Sequence, residues 1–354
     1  MTKPHLFFAA LVVVCVAGPA VNAETAETPP AIPPAVAEKS DSVAVKPELG
    51  ETSPSNAERP GTLALNATEG RVLDKIRSTG VITLGYREAA APFSYAADRT
   101  PAGFAVDLCG LVADKVKEKL ARPELNVVWR ATADADSAAA ASKGDIDIDC
   151  AATPDTATLG DAADVSAPVY VSELRFLVPS RLRPEAEGFR RRRADFKTPA
   201  AIDDLKGKTV TLLQGSPALP YVLGQSVERY LGISVVYAKT PAEAFKLVEA
   251  GAAAAYFDDD AVLLNLKAGA KSPDSFLLLG TGRPGAQYAL ILPKDEPLKD
   301  LADAAILDAV KSGTYEKLYA KWFESPIPPK NVTLAYPMTE RTKQFVKDPA
   351  SATE

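Results

Sequence analysis

Few residues in this chain combine a chemical group with a position where it could act on a ligand. Arg87 follows a short apolar run in "VITLGYREAAAPF". A guanidinium there can take a carboxylate in bidentate fashion, and loops at strand ends carry the ligand sites of α/β sheets; the bland reading is a surface arginine on a loop. Asp258, Asp259 and Asp260 stand together in "FDDDAVLL". One of these carboxylates can hold an ammonium group, while a neighbour suits a helix N-cap. Gly215 and Ser216 lie in "LLQGSPA", a turn opening a helix, whose free N–H groups can receive a carboxylate. Gly-Ser turns are common, so this signal is weak. The stretch "GDIDIDCAATPDTATLGD", residues 144–161, runs from a strand into a turn and supplies Thr153. It places Leu159 and Gly160 where a cation for an anionic ligand is sought. Phe93 and Tyr95 in "PFSY" suit a pocket wall or core packing equally.

Much chemistry is excluded. The chain opens with basic "MTKPH", apolar "LFFAALVVVCVAG" and small-residue "VNA", the three regions of a secretory signal. Cleavage after Ala23 removes Cys15 and His5, the one histidine of the chain. Without histidine there is no Ser-His-Asp or Cys-His catalysis and no histidine metal site. No glycine-rich phosphate loop follows a strand, so no nucleotide and no cofactor is expected. A net charge of −6 argues against nucleic acid as a partner.

Residues 24–65 are rich in Ala, Pro, Glu, Ser and Thr without apolar periodicity, the composition of a disordered tether. Helix and strand patterns then alternate. "GRVLDKIRSTG" is a helix ending at Gly80, "VITLGY" a strand, and "FAVDLCGLVADKVKEKL" an amphipathic helix with Leu108, Val112, Val116 and Leu120 on one side. The alternation continues through "KTVTLLQ", "SVVYA", "AAAAYF", "SFLLLG" and "QYALILP" as strands, and ends in helices around "LKDLADAAILDAVKSG" and "TYEKLYAKWF". It implies an α/β fold with parallel-rich sheets covered by helices on both faces. A turn-rich break over 179–208, with an arginine run at 190–193 read as a solvated loop, separates two α/β halves.

Two cysteines remain in the mature chain. Cys109 lies in the amphipathic helix and Cys150 ends the strand "DIDIDC". Helix-on-sheet packing can bring their α-carbons within the ~4.4–6.8 Å a disulfide needs. In an oxidising compartment, with no third cysteine to compete, a Cys109–Cys150 bridge is expected over two buried free thiols.

The stretches "GVITLGYREAAAPFSY", "GDIDIDCAAT", "DDLKGKTVTLLQGS", "DDDAVLL" and, most specifically, "KWFESPIPPKN" resemble the periplasmic solute-binding proteins of amino-acid ABC transporters (bacterial solute-binding protein family 3), closest to the glutamate/aspartate-binding branch. The resemblance covers roughly residues 66–348. It implies a two-lobe type II periplasmic binding protein: lobe 1 from 66–174 plus 287–348, lobe 2 from 175–286, two crossover strands as hinge, and a C-terminal tail at 349–354. It also implies a ligand gripped in the interlobe cleft. On this reading Arg87 faces the ligand's acidic side chain and Asp259 holds its α-ammonium, with Phe93, Thr153, Gly215 and Ser216 completing the site.

The chain also departs from the branch. Ala152 stands at a hydroxyl position, Pro154 lacks an N–H, and Leu159 falls at the arginine for the α-carboxylate. Asp134 and Ser137 fall where the branch has a serine and a second arginine, and Pro241 falls at its pocket histidine. The expected function is therefore a monomeric periplasmic receptor delivering an amino acid or related small polar solute to an ABC permease, with a pocket unlike the glutamate/aspartate pattern. The alternative is an accessory, partner-binding protein that kept the fold and lost amino-acid binding. A dehydratase, with Asp134 or Glu88 as acid, ranks third, and no enzyme activity is expected.

Overall fold

The computed structural model describes residues 70–133, 136–155, 163–181, 198–294 and 297–353. The expected signal segment and tether, Asp134, Leu159, Gly160 and the arginine run lie outside the described residues. Helix α1 (Arg71–Thr79) buries Val72, Leu73 and Ile76, and stops at Gly80, whose N–H closes on the Ile76 carbonyl. Strand β1 (Val81–Tyr86) follows. The short strands β2 (Ala89–Ala90), β3 (Ser94–Ala97) and β4 (Thr100–Ala102) form a small antiparallel sheet leading into α2 (Phe104–Leu120). On α2 the residues Leu108, Val112, Val116 and Leu120 are buried, a four-residue spacing that keeps one face on the sheet. Then come β5 (Asn126–Ala131), α3 (Ser137–Lys143), β6 (Ile148–Pro154), β7 (Ala163–Val165) and β8 (Tyr170–Pro179). Strand β1 lies between β5 and β6, parallel to both.

The second wing repeats the pattern with β9 (Thr209–Leu213), α4 (Leu219–Glu228), β10 (Ser234–Ala238), α5 (Pro241–Glu249), β11 (Ala255–Asp259) and α6 (Asp260–Gly269). Here β9 lies between β10 and β11, again parallel to both. Strand β12 (Phe276–Pro293) returns to the first wing. Helices α7 (Leu298–Lys311) and α8 (Thr314–Tyr319), strands β13 (Pro326–Ile327) and β14 (Val332–Thr333), and helix α9 (Glu340–Lys347) finish the chain.

The main sheet runs β10-β9-β11-β8-β12-β6-β1-β5, with β7 also paired to β12. Each wing is parallel, as the alternation predicts, but β8 and β12 in the middle are antiparallel to each other and to their outer neighbours β11 and β6. The segments "SFLLLG" and "QYALILP", predicted as separate strands, are the two ends of β12. Its pairing with β8 continues through register shifts between Gly280 and Arg283 and between Pro284 and Gln287. Such shifts let a ladder pass a residue with no N–H. This architecture is the two-lobe α/β type, with β8 and β12 as the strands common to both wings.

The first wing has an aromatic core in which Phe323 stacks on Tyr319 at 4.3 Å and on Tyr170 at 5.6 Å. The second wing packs both sheet faces: Phe176 and Phe257 belong to one cluster, Leu177 and Tyr256 to the other. That division follows from the two-residue period of a strand. The segment "TYEKLYAKWF" is not one regular helix, because α8 passes into a π turn at Ala320–Glu324. The turn carries Trp322 and Phe323 inward together, and Trp322 Nε1 donates to Asp107 Oδ2 at 2.7 Å. Cys109 on α2 is bonded to Cys150 on β6, with α-carbons 5.9 Å apart.

Candidate functional site

Strand β1 delivers Arg87 to the end of the first wing, where it is buried. Its guanidinium makes a bidentate contact with Asp149, at 2.9 Å to Oδ1 and 3.1 Å to Oδ2, and also donates to Ser137 Oγ and Thr132 Oγ1. Thr132 in turn donates to Asp149 Oδ1 at 3.0 Å. Asp149 is fully buried near the start of β6. The cluster needs Gly85: a Cβ there would lie 2.8 Å from Ile146 Cδ1 and 3.0 Å from Asp149 Oδ1. Sequence reasoning placed Arg87 at the site but missed Asp149 and Thr132, and gave Ser137 no contact with Arg87. The available signal was an acidic residue inside an apolar strand, which requires a buried cation.

Arg87 lines a cavity of about 460 Å³ between the wings, within the size range of small-molecule sites. Phe93, Thr153 and Tyr288 share its wall from the first wing and the β12 strand; Pro241 and Asn265 share it from the second wing. Phe93 is both wall and core, stacked 6.2 Å from Tyr288 and packed edge-on to Tyr170 at 5.0 Å. Tyr95 takes the core alternative, edge-on to Trp322 at 6.0 Å. With its amide nitrogen turned inward, Asn265 reaches the carbonyls of Ala89 and Ala91 at 3.1 and 3.2 Å, joining α6 to the β2 loop. Asn265 and Tyr288 were not singled out in the sequence, since a lone Asn on a helix and a Tyr in an apolar strand carry no distinctive spacing.

Asp259 ends β11 and is half-buried. Its Oδ1 accepts from Ser172 Oγ at 2.6 Å and from the Ala286 N–H at 3.0 Å. Gly285 makes room for it, since a Cβ at that position would sit 2.0 Å from Asp259 Oδ1. The side chain is thus held against β8 and β12 beside the cavity and is not itself in the wall. Its neighbours serve structure. Asp258 accepts from the Tyr256 hydroxyl, and burial pushes its carboxyl up to about 6. Asp260 is fully buried, accepts from Tyr336 Oη at 2.6 Å, and is likewise pushed by burial to about 6. The phenol of Tyr288 is pushed well above its ordinary value by burial, then by Asp259, Asp258, Asp260 and Asp155.

Gly215 and Ser216 form the turn before α4 but lie outside the cavity wall. Ser216 bonds within the turn, its N–H to the Leu213 carbonyl and its Oγ to the Ala218 N–H. Glu88 is exposed, without the burial that would poise a catalytic acid. Among the described residues no group of three or more His, Cys, Asp or Glu is placed to hold a metal ion, and no helix is long and apolar enough to cross a membrane.

Residues 82–325 match the sequence profile of the bacterial extracellular solute-binding proteins, family 3. The chain belongs to this family. Among curated relatives of this solute-binding protein, the L-glutamate/L-aspartate-binding protein of Pseudomonas aeruginosa is 33% identical over 280 residues, 78% of this chain and 88% of the relative. The glutamate/aspartate import solute-binding protein of Escherichia coli is 30% identical over 282 residues, 79% of this chain and 88% of the relative. Among solved structures, the second substrate-binding domain of GlnP from Lactococcus lactis, in an open conformation, matches with a TM-score of 0.52 and 20% identity, covering 69% of this chain and 95% of that domain. An ancestral cationic amino-acid solute-binding protein matches with a TM-score of 0.50 and 22% identity, covering 71% and 99%. At these identities the structural matches speak for the fold of the solute-binding protein.

Proposed function

We propose that this chain is the periplasmic receptor of an ABC importer, binding an amino acid or related small polar solute between its wings and presenting it to the permease. The observation that carries the reading is a cavity of ligand size, walled from both wings by Arg87 and Asn265, in a member of a solute-binding family. Arg87, Phe93 and Thr153 form one side of the proposed site, and Asp259 anchors its hinge end. Gly215 and Ser216 would join only as the second wing closes on ligand.

The pocket departs from that of a glutamate/aspartate receptor. Ala151, Ala152 and Pro154 line the cavity where hydroxyl and N–H donors would serve a carboxylate, and Pro241 lines it opposite. A ligand carboxylate buried there without an ion partner carries a cost of several kcal/mol. Thermal shift of the mature protein against amino acids and small polar solutes tests the reading. A ligand at a hundred times its Kd adds about 2.7 kcal/mol of stability. L-Glutamate and L-aspartate should give small shifts and another compound a large one. Submicromolar L-glutamate binding by calorimetry overturns the proposed departure; silence across the panel favours the accessory-protein alternative.

A further inference from the structure

We infer that the cleft is built for a cationic amine whose binding does not require a carboxylate. The inference rests on the receptor reading above and concerns the charge balance of the same cavity. Its first support is that the arginine in the wall is already taken. Both terminal guanidinium nitrogens bond to protein: Nη1 and Nη2 make the bidentate contact to Asp149 at 2.9 and 3.1 Å, and they also donate to Thr132 and Ser137. Asp149 is tethered and fully buried. A ligand carboxylate would have to displace it and leave a buried charge without a partner, an outcome that strongly disfavours binding.

Among the described residues of the wall, none replaces that partner. Pro154 and Pro241 have no N–H, Ala151 and Ala152 have no side-chain donor, and the Asn265 amide is engaged with two backbone carbonyls. Thr153 is left as a neutral hydroxyl.

The second support is the opposite sign at the hinge end. Both hydrogen bonds to Asp259 fall on Oδ1, which leaves Oδ2 for a ligand. Among the described residues, Asp258 and Asp259 have no Lys or Arg partner. Beside these carboxylates stand two aromatic rings of the wall, Phe93 and Tyr288, nearly parallel at an interplanar angle of 10°. Carboxylates next to aromatic faces are the chemistry that recognises ammonium and guanidinium groups. Among the described residues, the cavity and its hinge end therefore present one internally neutralised ion pair, the Asp259 carboxylate with no cation partner, and an aromatic wall.

Matched pairs that differ by one carboxylate test this on the mature, full-length wild-type protein by calorimetry: agmatine against L-arginine and cadaverine against L-lysine, with L-glutamate as the anionic probe. In at least one pair the amine should bind as tightly as its parent amino acid or more tightly, and L-glutamate should give no measurable binding. Asp259→Asn, which keeps an acceptor for Ser172 and Ala286, should weaken that amine at least tenfold without lowering Tm. A parent amino acid binding tenfold tighter than its amine, or measurable L-glutamate binding, overturns the inference and leaves the receptor reading standing. Silence to all five compounds, together with a silent wider amino-acid panel, overturns both.

Discussion

At the scale of single residues, the pair Arg87–Asp149 sets the character of the pocket. Removing one member strands the other in the core. Arg87→Ala should cost about 3–5 kcal/mol by urea denaturation, whereas the double variant Arg87→Met, Asp149→Leu should recover a large part of that loss. A double variant no more stable than the single one would show that the two groups do not act as a pair. Asp258 makes a prediction of the opposite kind. Burial raises its carboxyl from 3.8 to about 6, so the folded state holds this proton more tightly than the unfolded chain does. Its contribution to stability is greatest below about pH 4 and is lost as the pH rises to about 6. Acidification from pH 7 to pH 5 should therefore gain about 1 kcal/mol from this group. Asp258→Asn should lose that share of the gain, read as the difference in urea midpoints at the two pH values.

At the scale of elements, two contacts fix the walls of the cleft. The bridge from Cys109 to Cys150 ties α2 to β6, with 41 residues of sequence separation. The strand it holds continues directly into Ala151, Ala152 and Thr153 of the wall. The chain-entropy description gives about 3–4 kcal/mol for a loop of that length. Cys150→Ser should lower stability by about that much, and the wild-type protein should lose a similar amount on reduction. Equal melting with and without reductant would contradict the bridge. At the hinge end, Gly285 leaves the space that Asp259 fills. Gly285→Ala should push that carboxylate off β12 and weaken whatever ligand the wild-type protein binds, with a smaller effect on Tm than on affinity.

At the scale of the whole described unit, the C-terminal segment joins the wings through residues outside the cavity wall. Tyr336 donates to the buried Asp260 at the start of α6, and Lys267 on the same helix donates to the Leu334 carbonyl at 2.8 Å. Arg175 on β8 lies 5.1 Å from the centre of the Tyr336 ring and pairs with Glu173. Meanwhile Phe345 of α9 packs on Tyr315 in the first wing. Asp260 Oδ1 already lacks a hydrogen-bond partner, so Tyr336→Phe leaves the carboxylate with its principal donor gone. That change should cost about 1–3 kcal/mol, measured by chemical denaturation. An unchanged midpoint would mean that the segment does not brace α6.

The sequence by itself determined the alternation of elements, the parallel wings, the family resemblance and the position of Arg87. These are properties of local periodicity and of short motifs, and each is written into neighbouring residues. It also pointed Cys109 to Cys150, because the third cysteine, Cys15, falls in the expected signal segment and an amphipathic helix must cover a sheet. The partner of Arg87 was decided by the tertiary structure. Asp149 lies 62 positions away, and nothing local distinguishes it from Asp147, which instead pairs with Lys75 at 2.8 Å. The same holds for β12, where an interior "GTGRPGA" reads locally as a loop. It becomes strand because β8 lies alongside and supplies a ladder that register shifts can follow past the proline. Charge balance in a cleft belongs to the folded chain in the same way, since it depends on which carboxylates have found a cation and which have not.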